Sequence, residues 1–176
     1  SSSTLPDKPS IAVLPFDNMS GDPAQEYFAD GLTEDIITAL SLWRSFPVIA
    51  RNSTFAYKGQ SPDIRRVADE LGARYVLEGS VRTSGERVRI TAQLIDAESA
   101  HHVWAEKFDR KLEDIFELQD EITERIVATI SPELERAEQK RSAAKAPTSL
   151  TAWDCYQRGL WHLYRFTTEE IETAKS

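Results

Sequence analysis

The sequence predicts an α+β fold, a mixed sheet built in the order β-α-β-α-β-β-β-α with its helices packed on the sheet, followed by a C-terminal helical hairpin. Three observations predict it. A continuous apolar run, Ile11-Ala12-Val13-Leu14-Pro15-Phe16, has strand length and the composition of a strand covered on both faces. Two helical patterns with start signals follow, separated by a short apolar stretch. The segment from Tyr75 to Asp109 then alternates apolar and polar residues, the period of half-buried antiparallel strands.

Residues 1–9 are polar and proline-containing and read as a linker, with the α/β domain assigned to 10–139. Asp22-Pro23-Ala24-Gln25 places an N-cap, a proline at N1 and a glutamine at N3, a helix start. Phe28, Leu32, Ile36 and Leu40 then recur every fourth residue down to about Trp43, and Gly31 is a point of bending. Phe46 to Ala50 reads as a second short strand ending in a polar loop, Arg51-Asn52-Ser53-Thr54. Ser61-Pro62 opens another helix carrying Ile64, Val67, Ala68 and Leu71, closed by Gly72 at C′. Two right-handed crossovers would make the first strands parallel.

In the three-strand meander, a Ser84-Gly85 turn would set Val81 opposite Val88, Gly79 opposite Ile90, Leu77 opposite Ala92 and Tyr75 opposite Leu94, so that one face is apolar. The opposite face collects Glu78, Ser80, Arg82, Arg87, Arg89, Thr91 and Gln93. The third strand, from Val103 to Phe108, has two registers open to it. An odd-length turn buries Trp104 and Phe108, whereas an even one sets them beside Arg89 and Gln93. A long helix follows from about Leu112, with Pro132 either kinking it or starting a new segment. Residues 140–148 have linker composition, and 149–176 read as the truncated start of a helical repeat. There Trp153, Tyr156, Leu160 and Leu163 form a stripe, Trp161 and Tyr164 add a second aromatic edge, and Thr167-Thr168-Glu169-Glu170 is a capping box.

A net charge of -8 repels phosphate backbones, which places nucleic acid low among partners for this chain. No apolar run is long enough to span a bilayer, and the opening Ser1-Ser2-Ser3-Thr4 is no signal peptide; both ends read as those of an excised fragment. Cys155, the single cysteine, allows either a reducing or an oxidising compartment and reads as a buried structural thiol. His101 and His102 are adjacent and point to opposite sides of a strand, so no metal site is expected. The Asn18-Met19-Ser20 and Asn52-Ser53-Thr54 sequons are too short to decide anything. No phosphate-binding glycine loop is present, and neither a cofactor nor a catalytic residue is assigned.

Two candidate sites remain. Asp17, Asn18, Arg51, Asn52 and Ser53 follow the first two strands and would line a crevice at the carboxyl ends of parallel neighbours, suited to a small ligand. The alternative is an Asx-turn at Asp17-Asn18 and a pairing of Arg51 with an acidic helix residue such as Glu34. Glu78, Arg82, Arg87, Arg89 and Gln93 form the second candidate, a face for docking a protein: a catalytic domain on the same polypeptide, the repeat array or another copy. Its alternative is a solvated face balanced by Glu78 and Glu106.

The stretches Ile11 to Phe16, Tyr27 to Asp35, Val48 to Ser53, Tyr75 to Arg82 and Trp104 to Arg110 together resemble a bacterial family. It is the TolB-like amino-terminal domain found beside class III adenylate cyclase domains or winged-helix DNA-binding domains and ahead of tetratricopeptide repeats. The resemblance runs from about Pro9 to Arg141, and the tail from Leu150 resembles the opening hairpin of the repeat array. It implies a non-catalytic regulatory, sensory or assembly module of a signalling protein; the compartment, bacterial cytoplasm or periplasm, with or without a tether outside this chain, stays open. Cyclic AMP synthesis would belong to a domain absent here. One departure is Ser99-Ala100, which stands where relatives tend to carry a Thr-Gly turn.

Overall fold

The computed structural model describes residues 9–43, 46–144, 154–161 and 163. Its elements are β1 (Ile11–Val13), β2 (Asp17–Asn18), α1 (Ala24–Trp43), α2 (Arg51–Phe55), α3 (Ile64–Leu71), β3 (Tyr75–Ser84), β4 (Arg87–Asp96), β5 (His101–Lys111) and α4 (Ile115–Ala144). The chain divides into two compact units, Pro9–Ile130 and a second made of Ser131–Ser176 with Ser1–Lys8.

In the first unit the sheet runs β1-β3-β4-β5, with β2 also on β3. Both β1 and β2 lie parallel to β3, while β3, β4 and β5 form the antiparallel meander. The mixed sheet with its packed helices is thus the predicted α+β class. The stretch expected as a second strand contributes a single parallel bridge, Val48 to Ile11, fixed by Ile11 N–H donating to the Pro47 carbonyl at 2.9 Å and Ile49 N–H to that of Ile11 at 2.8 Å. The polar loop expected after it is instead the one-turn helix α2, in which the Thr54 hydroxyl donates to the Arg51 carbonyl at 3.1 Å.

Period-two alternation divides the sheet cleanly. Ile11, Val13, Tyr75, Leu77, Val81, Ile90, Leu94 and Phe108 occupy one face, all buried. Helices α1 and α4 cover it with Phe28, Leu32, Ile36 and Leu40 from one and Ile122 and Ile126 from the other. Asp22 caps α1, its carboxylate accepting from Ala24 N–H at 2.9 Å. At Gly31 the helix runs on unbroken, and a Cβ there would meet Gln119 Nε2 at 2.6 Å. Gly31 therefore admits the α4 amide, which donates to the Phe28 carbonyl at 3.3 Å.

On the other face, α3 covers only the beginning of the strands, where Val67 and Ala68 pack with Ala12, Leu14, Val76 and Ala97. Asp63 caps α3, accepting from Arg65 N–H at 2.9 Å, and Gly72 closes it at φ 68°. Arginine and polar side chains take over beyond Val76, and that half of the face stays open.

Both hairpins differ from the simplest sequence pairing. The first turn is Gly85-Glu86 rather than Ser84-Gly85, so Leu77 faces Leu94, Gly79 faces Ala92 and Val81 faces Ile90. Gly85 at φ 60° supplies the one left-handed position of a type II′ turn. Moving the turn by one residue moves every partner by two, so each side chain keeps its face. The second turn holds four residues, Ala97 to Ala100, an even number, yet Phe108 is buried opposite Ile90 and Trp104 is half-buried opposite Leu94. A bulge at Val103 absorbs the extra residue, which corrects the expectation that an even loop sends both rings to the polar face.

Helix α4 begins at Ile115, with the Asp114 carboxylate capping Phe116 and Glu117 N–H at 3.0 and 3.1 Å, and passes through Pro132 to Ala144. It thereby includes the start of the stretch expected as a linker. In the second unit the Arg141 guanidinium bonds both oxygens of buried Glu138, at 2.7 and 2.8 Å, and reaches buried Asp154 at 3.2 Å. Residues 154–161 are helical, and Cys155 is exposed rather than buried. Tyr156 and Leu163 of the aromatic stripe are exposed, while Leu160 and Trp161 are half-buried. Trp153, Tyr164 and the Thr167 capping box lie outside the described residues.

Candidate functional site

The open half of the second sheet face is built by three strands. Glu78, Ser80 and Arg82 project from β3, Arg87, Arg89, Thr91 and Gln93 from β4, and Ala105, Lys107 and Asp109 from β5. Glu78, Ser80, Arg82, Thr91, Gln93, Ala105 and Lys107 line an open depression of about 550 Å³ together with Asp17, while Arg82, Arg87, Arg89 and Asp109 line a second of about 330 Å³. Glu78, Arg82, Arg87, Arg89 and Gln93 thus share one face of the sheet but divide between two depressions, with Arg82 lining both.

Hydrogen bonds order part of this floor. The Gln93 amide donates to Glu78, the Ser80 and Thr91 hydroxyls meet at 2.6 Å, and Arg89 Nε donates to Asp109 at 2.7 Å. That bond holds the Asp109 carboxyl below its ordinary pKa and raises that of Arg89. Arg82 lies directly across from Arg89 and Arg87 across from Lys111, so like charges face each other in two cross-strand pairs. Among the described residues, Arg82 and Arg87 make no salt bridge, and Arg87 acts on Asp109 only at longer range. Four cations, Arg82, Arg87, Arg89 and Lys111, thus lie around Asp109 towards the hairpin end, whose turn carries the exposed Glu86, in a chain whose overall charge is negative.

The predicted crevice residues separate. Asn18 closes its own loop, accepting from Ser20 N–H at 3.0 Å as an Asx-turn does and donating to the Asp22 carbonyl at 2.8 Å. Arg51 lies 3.4 Å from Glu34 and stacks 4.1 Å above the Phe55 ring, while Asn52 and Ser53 are exposed on α2. Asp17 instead shares a cleft of about 190 Å³ with Glu78, Tyr57, Gln60 and Pro62. Burial, then repulsion from Glu26, raises the Asp17 pKa. Tyr57 and Gln60 lie in the turns after α2, and no spacing in the sequence links them to Asp17.

Among the described residues no group of three or more histidine, cysteine or acidic side chains is arranged to hold a metal, and no helix is long and apolar enough to cross a membrane. What the open face offers chemically is a cluster of exposed guanidinium groups, of which Arg89 is held by Asp109.

Comparison with known proteins places this geometry. A relative from Rhizobium meliloti (strain 1021), named "Putative adenylate cyclase 3", is 56% identical over 162 residues, which are 92% of this chain and 28% of the relative. The chain thus spans little more than a quarter of the length of that protein. Lipoprotein GNA1162 from Neisseria meningitidis superimposes with a TM-score of 0.50 at 20% identity, over 69% of this chain and 96% of that one. TolB from Acinetobacter baumannii does so with a TM-score of 0.50 at 19% identity, over 71% of this chain and 29% of that one. At such identities the likeness is one of fold, and it bears out the TolB-like architecture. Residues 7–125 match the model of a family described as the second domain of HilA/YgeH-like transcriptional regulators, and on that match over most of its length the chain belongs to this family.

Proposed function

We propose that this chain is a non-catalytic accessory domain, regulatory or assembly in role, of a class III adenylate cyclase whose cyclic-AMP-forming domain lies elsewhere on the polypeptide. The observation that carries this reading is the strong identity to a cyclase-named relative, confined to 28% of that relative's length. The open arginine face supports a docking role, because Arg82 and Arg87 await acidic partners. The family match favours a second reading, in which the same domain is the accessory region of a DNA-binding transcriptional regulator.

The test uses the full-length polypeptide in cells lacking their own adenylate cyclase. The expected result is cyclic AMP from the full-length protein, none from residues 9–144 alone, and a changed output when those residues are deleted. Cyclic AMP made by the domain alone would overturn the reading, as would an output indifferent to the deletion. Promoter binding by a full-length protein that makes no cyclic AMP would establish the second.

A further inference from the structure

Strand β5 ends the sheet, and among the described residues nothing pairs with its outer edge. Such an edge invites another strand unless its side chains forbid one. The bulge at Val103 confines regular pairing to the stretch from Trp104 to Lys111, which reads Trp-Ala-Glu-Lys-Phe-Asp-Arg-Lys. The order of charges there is complementary to its own reverse about Phe108. In an antiparallel pair of two such edges with the two-fold axis at Phe108, Lys107 faces Asp109 of the second copy and Glu106 faces its Arg110. Each contact occurs twice by symmetry, so four opposite-charge pairs form and no like pair does. Displacing the register by two residues in either direction sets like charges opposite each other or removes pairs.

We infer that β5 is a homodimerisation edge, at which two copies of this chain join their sheets into one continuous sheet through antiparallel β5-β5 pairing centred on Phe108. The backbone N–H and C=O groups of the edge supply the attachment, and the charge order supplies the register and the choice of partner. Lys107 and Asp109 lie on the open face and Glu106 and Arg110 on the helix-covered one, so both faces of the new ladder are matched. Among the described residues Lys107 makes no salt bridge and acts on the Asp109 of its own strand only at longer range. Arg125 at 3.2 Å from Glu106 and Glu121 at 2.7 Å from Arg110 hold that second pair of side chains at the strand. A merely protective edge requires only charge, without this order of signs. The inference is independent of which catalytic or DNA-binding domain accompanies the chain.

Two single charge reversals test it in the full 176-residue chain, followed by sedimentation velocity over a concentration series. The unaltered chain is expected to dimerise, and more weakly as salt is raised. Lys107→Glu sets acids against acids and Asp109→Lys sets bases against bases, so each variant should self-associate at least about tenfold more weakly. An equimolar mixture of the two matches every sign again and should form a heterodimer as tight as the original. Circular dichroism verifies that each variant is folded, and the mixture is the readout that a folding defect could not produce. A chain that stays monomeric at every concentration, a dimer indifferent to Lys107→Glu, or a mixture no tighter than its components would each overturn the inference.

Discussion

The ring of Phe16 lies against Gly79. A Cβ at that glycine would come within 2.5 Å of Phe16 Cε2 and 2.3 Å of the Thr91 carbonyl oxygen, and neither atom belongs to a flexible chain end. Phe16 is itself held by its N–H donating to the buried Thr33 hydroxyl at 3.0 Å. Glycine in the middle of β3 is thus the socket for an aromatic ring that joins the β1-β2 edge to α1. Gly79→Ala should destabilise the domain by about 2 kcal/mol, within the usual cost of overpacking. Urea unfolding would measure it, and an unchanged midpoint would show that the ring is free to move aside.

Ala100 is the one described residue other than glycine with a positive φ, 59°, and it closes the second hairpin by donating its N–H to the Asp96 carbonyl at 2.8 Å. A Cβ in the left-handed region costs about 1–2 kcal/mol, whereas glycine adds somewhat less than 1 kcal/mol of unfolded-chain entropy. Ala100→Gly should therefore stabilise the protein by about 0.5–1 kcal/mol. A fall in melting temperature would contradict this balance.

Much of the fold was legible because its signals are local. Asp22 announces its helix through a side-chain cap, Gly72 ends another, and the alternation from Tyr75 to Leu94 separates core from solvent whatever the register, whereas the cap of α3 is Asp63 and not the expected Ser61-Pro62 start. What escaped the sequence depends on contacts distant along the chain. The bulge at Val103 puts Phe108 on the buried face of the sheet and leaves Trp104 half-buried on it, and α2 forms where Arg51 can reach both Glu34 and Phe55. The shared face of Glu78, Arg82, Arg87, Arg89 and Gln93 was legible because they lie on adjacent strands. The Asp17 cleft was not, since Tyr57 and Gln60 reach it through turns that no pattern marks.

Asp35 provides a pH test. Burial first, then repulsion from Asp120 and Glu34, raises its pKa above the ordinary 3.8. Between that value and the raised one the folded protein binds more protons than the unfolded chain, so this group's contribution to stability falls as pH rises. Above the raised value the penalty is complete. Asp35→Asn removes it, and the stability of the variant relative to the original should climb through the window that opens at about pH 3.8 and then level off. Asp109, held low by Arg89, has the opposite slope but is present in both proteins and cancels in the difference. Urea midpoints at a series of pH values would give the curve, and a flat difference would place Asp35 in a fully hydrated setting.

The cross-strand pair Arg82 and Arg89 sets stability against recognition. Like charges directly opposed in a ladder destabilise it, and Asp109 answers only Arg89. Arg82→Gln should therefore stabilise the isolated chain, by about 0.5 kcal/mol and most visibly at low salt. If the arginine face docks acidic groups of another domain, the same substitution should weaken that contact and alter the output of the full-length protein. A residue kept only as solvated surface would show the first effect without the second. Measuring both, thermal stability of the chain and signalling output of the whole polypeptide, distinguishes a docking arginine from a tolerated one.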